Sequence, residues 1–190
     1  DIINGGIGTV SMTGGAGADD FKLLNIVNSI TSVQADTITD FTIAQTDQIG
    51  FSDSDLATLT AVGNMIGLDA TDLSNGTTLA VLEVNATATV DISGSDTNLD
   101  VALFSGNYAN AAALQADIRA NMSVGALSAN DAFLAFYDNG TDTTAAVVST
   151  TAAVSEEAAV AVAIVTDIAT LSGLADATTI TASNFLLVVT

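Results

Sequence analysis

The chain has no cysteine, no histidine, no proline and no tryptophan, and only two basic residues, Lys22 and Arg119. Without cysteine there is no disulfide framework and no thiolate metal site. Without histidine the usual general base, the usual zinc ligand and the usual pH switch are missing. Serine nucleophiles lack a base, and no G-x-S-x-G elbow occurs. Aromatic platforms for sugars are scarce, and nothing singles out a carboxylate pair for glycoside chemistry. The expectation is therefore no catalysis. The 22 acidic residues give a formal net charge of −20, which makes nucleic acid and anionic membrane surfaces poor partners. The longest apolar run, Ala158 to Val165, is too short to span a bilayer, so no membrane insertion is expected. No amino-terminal signal peptide is visible.

What is present is a hydrophobic acidic chain. Hydrophobic residues make up 49% and the mean hydropathy is +0.53, which sets it apart from a disordered acidic tail. Its 190 residues can bury a sizeable core in one or two domains. Divalent cations are natural partners, because they neutralise its self-repulsion.

Two nine-residue units lie back to back near the start. Gly14-Gly15-Ala16-Gly17-Ala18-Asp19-Asp20-Phe21-Lys22 reads G-G-x-G-x-D-x-U-x throughout. Gly5 to Thr13 keeps the three glycines and the apolar eighth residue, with Val10 in the acidic sixth place. Asp1 to Asn4 fits positions six to nine of an earlier unit. A glycine-rich linker has no reason to hold an apolar residue in phase. Three glycines in four residues allow a turn with positive φ and let carbonyls crowd one point. The Asp adds a hard oxygen suited to Ca²⁺. Each unit is half a coil, so loops on one edge recur every eighteen residues. Asp1 and Asp19 have that separation, and a Ca²⁺ is expected between their loops. Its candidate ligands are Asp1, Gly14, Gly15, Gly17 and Asp19, the glycines acting through carbonyls; Asp20 reads as a solvent-facing or outer-shell residue. On the opposite edge, Gly5 to Val10, no carboxylate is available, and the next loop there, Leu23 to Asn28, has no glycine. One Ca²⁺ position is expected.

These nonapeptides resemble the RTX family of Ca²⁺-binding repeat proteins. Asp36-Thr37-Ile38-Thr39-Asp40-Phe41 and Asp47-Gln48-Ile49-Gly50-Phe51 resemble the D-x-I-x-D-F…D-x-I-x-F/L segment that closes many RTX rolls. The apolar ending Phe185-Leu186-Leu187-Val188-Val189-Thr190 resembles the uncleaved C-terminal signal of type I-secreted members, with Asn184 where many have Asp. The resemblance covers about the first quarter and the last few residues. The Ala/Thr/Asp-rich middle is similar only in style to bacterial surface-layer and adhesin proteins. It implies a mainly β fold: the end of a parallel β-roll in residues 1–52, then a β-rich capping domain in 53–190 with one or two short helices. It also implies export by type I secretion machinery to the extracellular space or bacterial cell surface. There the segment would self-assemble as surface layer, filament or adhesin. The alternative is the folding and secretion module of an RTX protease or lipase whose catalytic domain lies upstream.

Other segments read locally. Thr77 to Val84 is a strand after the Asn75-Gly76 turn, and Thr87 to Ile92 is able to pair with it. Tyr108 to Met122 is a helix with Leu114, Ile118 and Met122 on one face and Asn107 as its cap. Ala132–Tyr137 and Thr144–Val148 flank the loop Asp138-Asn139-Gly140-Thr141-Asp142 as a hairpin. That loop resembles part of a Ca²⁺ loop but departs from EF-hand spacing, which favours an ordinary polar hairpin. Residues 155–172 fit a helix or a strand; their β-branched content favours strand. Asp36, Asp40 and Asp47 are solvated strand-end carboxylates unless two of them converge on a second ion. Asp53, Asp55, Asp69 and Asp72 read as helix caps. N-x-S/T triplets begin at Asn75, Asn85, Asn121 and Asn139, as chance supplies in a Thr- and Asn-rich chain.

Overall fold

The computed structural model describes residues 1–6, 8–23, 35–52, 81–84, 101–124, 132–152, 158–159 and 163–188. They form a mainly β structure with one α-helix among the described residues. The expected caps at Asp53, Asp55, Asp69 and Asp72, the Asn75-Gly76 turn and the strand Thr87–Ile92 lie outside them.

Five short strands open the chain: β1 (Ile2–Asn4), β2 (Ser11–Met12), β3 (Asp20–Leu23), β4 (Asp36–Ile38) and β5 (Gln48–Ser52). They alternate between two sheets. β1, β3 and β5 pair in parallel in the first sheet, and β2 and β4 pair in parallel in the second. Ile2 lies opposite Asp20, the eighteen-residue phase of the two nonapeptides. The apolar eighth residues, Met12 and Phe21, point between the sheets and are fully buried.

The remaining strands complete both sheets. The second sheet runs β2-β4-β12-β10-β9-β7-β6 and mixes parallel with antiparallel pairs. It takes in β6 (Val81–Val84), β7 (Val101–Asn107), β9 (Ala132–Asp138), β10 (Thr143–Thr150) and β12 (Ala163–Leu171). The expected hairpin is β9 and β10, and the ambiguous stretch after residue 155 contains the strand β12. Ile168 is the extra residue of a bulge, since Ala145 pairs with Ala169 but Ala146 with Asp167. β8 (Ser123–Val124) and β11 (Ala158–Ala159) form a small separate pair. β13 (Phe185–Val188) joins the first sheet in parallel beside β5. Strands from either side of residue 52 therefore share both sheets.

The second sheet is buried on both faces along β9, where every residue is buried. That explains the unbroken apolar run Ala132–Tyr137. Leu134 and Phe136 face the first sheet, in a core with Phe21, Phe41, Ile49, Phe51 and Phe185. Phe136 meets Phe185 edge-on with centroids 5.6 Å apart. Phe133, Ala135 and Tyr137 face the other way, onto Leu114 and Ile118 of helix α1 (Ala111–Asn121). The helix begins later than the periodicity indicated. Asn107 ends β7, and the cap is Asn110, whose Oδ1 accepts the Ala113 N–H at 3.0 Å. Arg119 in its last turn donates to the Ala163 carbonyl at 2.8 Å, tying α1 to β12. Among the described residues no helix is long and apolar enough to cross a membrane.

Candidate functional site

The two nonapeptide turns share one backbone conformation. Gly6 and Gly8 have φ of 92° and 94°; Gly15 and Gly17 have 95° and 114°. L-residues rarely adopt such values, so the second and fourth positions demand glycine. The first position demands it for another reason. A Cβ on Gly14 would lie 2.5 Å from Oδ2 of Asp19, and one on Gly5 would lie 2.6 Å from Oδ2 of Asp36. The turn closes over a carboxylate that leaves no room for a side chain.

These carboxylates form ladders. The α-amino group of Asp1 donates to Asp19 Oδ1 at 2.7 Å. One coil further on, the Asp19 N–H donates to Asp47 Oδ1 at 3.1 Å. Strand register places Asp1, Asp19 and Asp47 side by side, each just before its strand in the first sheet. Asp47 also accepts the Thr42 N–H at 2.8 Å, as a loop five residues long folds over it. On the opposite edge the Val10 N–H donates to Asp36 Oδ1 at 2.9 Å. That edge, expected to lack a carboxylate, takes Asp36 from β4. Burial holds the Asp36 carboxyl above its usual range, against the smaller opposing effect of the Val10 hydrogen bond.

The three acids read as a second set therefore separate. Asp47 joins the Asp1 and Asp19 edge, and Asp36 goes to the other. Asp40 accepts the Gly14 and Gly15 N–H groups at 2.9 and 2.7 Å, while Gln45 Oε1 accepts that of Gly17. The 14–19 turn is thus seated on the 39–47 loop by its donors. Among the described residues, the carbonyls of Gly14, Gly15, Ala16 and Gly17 accept no hydrogen bond. Donors spent and acceptors spare is the state a hard cation requires of a backbone turn. Asp1, Asp19 and the Gly14, Gly15 and Gly17 carbonyls fit Ca²⁺ in donor type. Side chains alone do not make the site: among the described residues no three acidic side chains gather as a metal cluster. Asp20 alternates with inward Phe21 and stays partly exposed.

Several of the described acidic groups elsewhere are committed to structure. Asp138 accepts Gly140 N–H at 3.0 Å and Ala177 N–H at 3.2 Å, and Asp142 accepts Gly173 N–H at 2.8 Å. These bonds pin the hairpin loop to residues 173–177. Tyr137 donates to Asp167 at 2.8 Å and Tyr108 to Asp117 at 2.7 Å. Burial first, and the adjacent carboxylate with it, pushes both phenols far above their usual range. Asn184, standing where the secretion-signal resemblance has Asp, is buried. It donates to the Asp47 carbonyl at 2.9 Å and accepts the Thr181 N–H at 3.0 Å.

Sequence reasoning missed Asp36 and Asp47 as members of the ladders. Their partners lie 26 and 28 residues away, because the connections into β4 and β5 exceed a nonapeptide. Asp47 stands immediately before the alternating strand β5, as Asp19 does before β3, and Asp36 opens β4, and that is the signal by which they were readable. The chain matches no family model, no curated protein and no solved structure.

Proposed function

We propose that this chain is a Ca²⁺-binding segment of an extracellular structural protein, in which β1 to β5 are the last coils of a parallel β-roll. Asp1 and Asp19 with the carbonyls of Gly14, Gly15 and Gly17 would hold the ion. The observation that carries the reading is the 14–19 turn: the Gly14, Gly15 and Gly17 N–H groups are capped by Asp40 and Gln45, the carbonyls of the same three glycines accept no hydrogen bond among the described residues, and its acid lies beneath Gly14. The alternation of β1 to β5 between two sheets in parallel supports the roll. When bound, the ion supplies positive charge to a chain of net charge −20, which otherwise resists compaction and association. The nonapeptide resemblance supports type I export and assembly at the cell surface.

Ca²⁺ titration followed by calorimetry and thermal unfolding tests the reading. Ca²⁺ at a hundredfold excess over its Kd is expected to stabilise the fold by about 2.7 kcal/mol. Asp19→Asn should remove most of that increment. Sedimentation in Ca²⁺ and in chelator, at fixed ionic strength, tests assembly: association only with Ca²⁺ is expected. A folded monomer in both would instead support the tail of a secreted protease or lipase. An unchanged unfolding midpoint with Ca²⁺ would remove the metal reading itself.

A further inference from the structure

The tip of the β9–β10 hairpin carries reactive groups that the cation reading does not use. Asn139 and Gly140 are both exposed. The Gly140 N–H donates to Asp138 Oδ1 at 3.0 Å. Asn139 Oδ1 accepts two backbone N–H groups, from Thr141 and Asp142, each at 2.9 Å. Both interactions favour one reaction. An asparagine amide is attacked by the nitrogen of the residue that follows it. That step needs a proton acceptor at the nitrogen and charge stabilisation at the amide oxygen. A carboxylate sits at the first, and two N–H donors converge on the second, the arrangement that stabilises an oxyanion.

We propose that Asn139 is a self-modifying site, which the folded hairpin converts to a cyclic imide and then to aspartate or isoaspartate. The Gly140 nitrogen bonds to Cγ of Asn139 and gives its proton to Asp138. The Cγ–Nδ2 bond breaks, and ammonia leaves carrying a proton returned from Asp138. Solvent water then opens the imide at either carbonyl. Glycine at 140 leaves the nitrogen unobstructed, and its φ of 83° holds the turn. The anchors of the loop lie outside the reaction: Asp138 Oδ2 stays on Ala177 N–H and Asp142 on Gly173 N–H. The product adds a carboxylate between Asp138 and Asp142.

The chain contains its own control. Asn4 also precedes a glycine and is also exposed, but it lies in β1, and the Gly5 N–H donates to the neutral Lys22 carbonyl at 2.9 Å. The experiment is to incubate the folded full chain at neutral pH, digest it, and quantify conversion at 139 and at 4 by mass spectrometry, with isoaspartate detected by enzymatic methylation. A guanidinium-denatured sample runs in parallel. Conversion at 139 is expected to exceed that at 4 in the folded chain by roughly tenfold or more, for a positioned base and oxyanion donors. The two sites should become comparable when the chain is denatured. Asp138→Asn, with its fold checked by circular dichroism, should slow position 139 and leave position 4 unchanged. Conversion at 139 that is slower folded than denatured would overturn the proposal, because the hairpin would then be protecting the amide.

Discussion

Substituting Gly14 and Gly15 separately by alanine tests whether the two demand glycine for different reasons. Gly15 has φ of 95° and nothing within 4 Å of a built Cβ, so alanine there meets only backbone strain of about 1–2 kcal/mol. The stiffer unfolded chain returns about 0.4–1 kcal/mol. The net loss is about 1 kcal/mol. Gly14 has no positive φ, but its Cβ would meet Oδ2, Cγ and Cβ of Asp19 at 2.5, 2.6 and 2.8 Å. Asp19 has nowhere to retreat, being 2% exposed and bonded to the Asp1 backbone nitrogen. Overpacking costs about 1–3 kcal/mol, and loss of a charge-assisted hydrogen bond about 1.5–3 kcal/mol. After the same entropy return, Gly14→Ala should lose about 2–5 kcal/mol. Urea unfolding with a common m-value measures both. The diagnostic is a double-mutant cycle with Asp19→Gly, which removes all three close atoms. In that background Gly14→Ala should become nearly neutral, while Gly15→Ala keeps its full effect. If Gly14→Ala stays as damaging without Asp19, the close-approach argument is refuted.

Two further outcomes are expected. Asp36, with its carboxyl held above the usual 3.8 by burial, binds its proton more tightly folded than unfolded. Stability of the Ca²⁺-free chain should therefore fall as pH rises from the unfolded value through the raised native one. Asp36→Asn, which keeps an acceptor for Val10, should flatten that slope in unfolding measured across acidic pH. Asn184→Ala removes a buried donor to the Asp47 carbonyl and an acceptor of the Thr181 N–H, and should cost about 1–3 kcal/mol. Hydrogen exchange should then show β5 and β13 losing protection together, and unchanged protection there would count against Asn184 as the fastener.

The nonapeptide turns were legible in the sequence because Gly6, Gly8, Gly15 and Gly17 answer a local φ and Gly14 a contact within its own nine residues, although the contact that fixes Gly5 comes from Asp36. The eighteen-residue register of Ile2 and Asp20 follows from the same periodicity. The hairpin was legible from two apolar runs around a polar loop, and β12 from its β-branched residues. Asp36 beside Val10 was not, because a longer connection hides the phase that the first coils show plainly. The helix start shifted because Asn107 is claimed by β7, whose register with β9 extends to the pair Asn107 and Asp138. Nothing local signals that Phe185 will lie beside Ile49, since that pairing depends on which sheet edge is open when the parts meet.

That last pairing bears on the order of events as the chain emerges. Asn184 and the Asp47 carbonyl it holds are 137 residues apart. A chain that appears amino end first exposes β1, β3 and β5 long before β13. Throughout that interval β5 presents a hydrogen-bonding edge that any strand, from this chain or another, is able to occupy. β13 is thus a latch that arrives last, and its apolar residues compete with intruders for one slot. Under the proposed assembly, contacts between copies and completion of the single chain would be rival uses of the same edge, decided by which strand reaches β5 first.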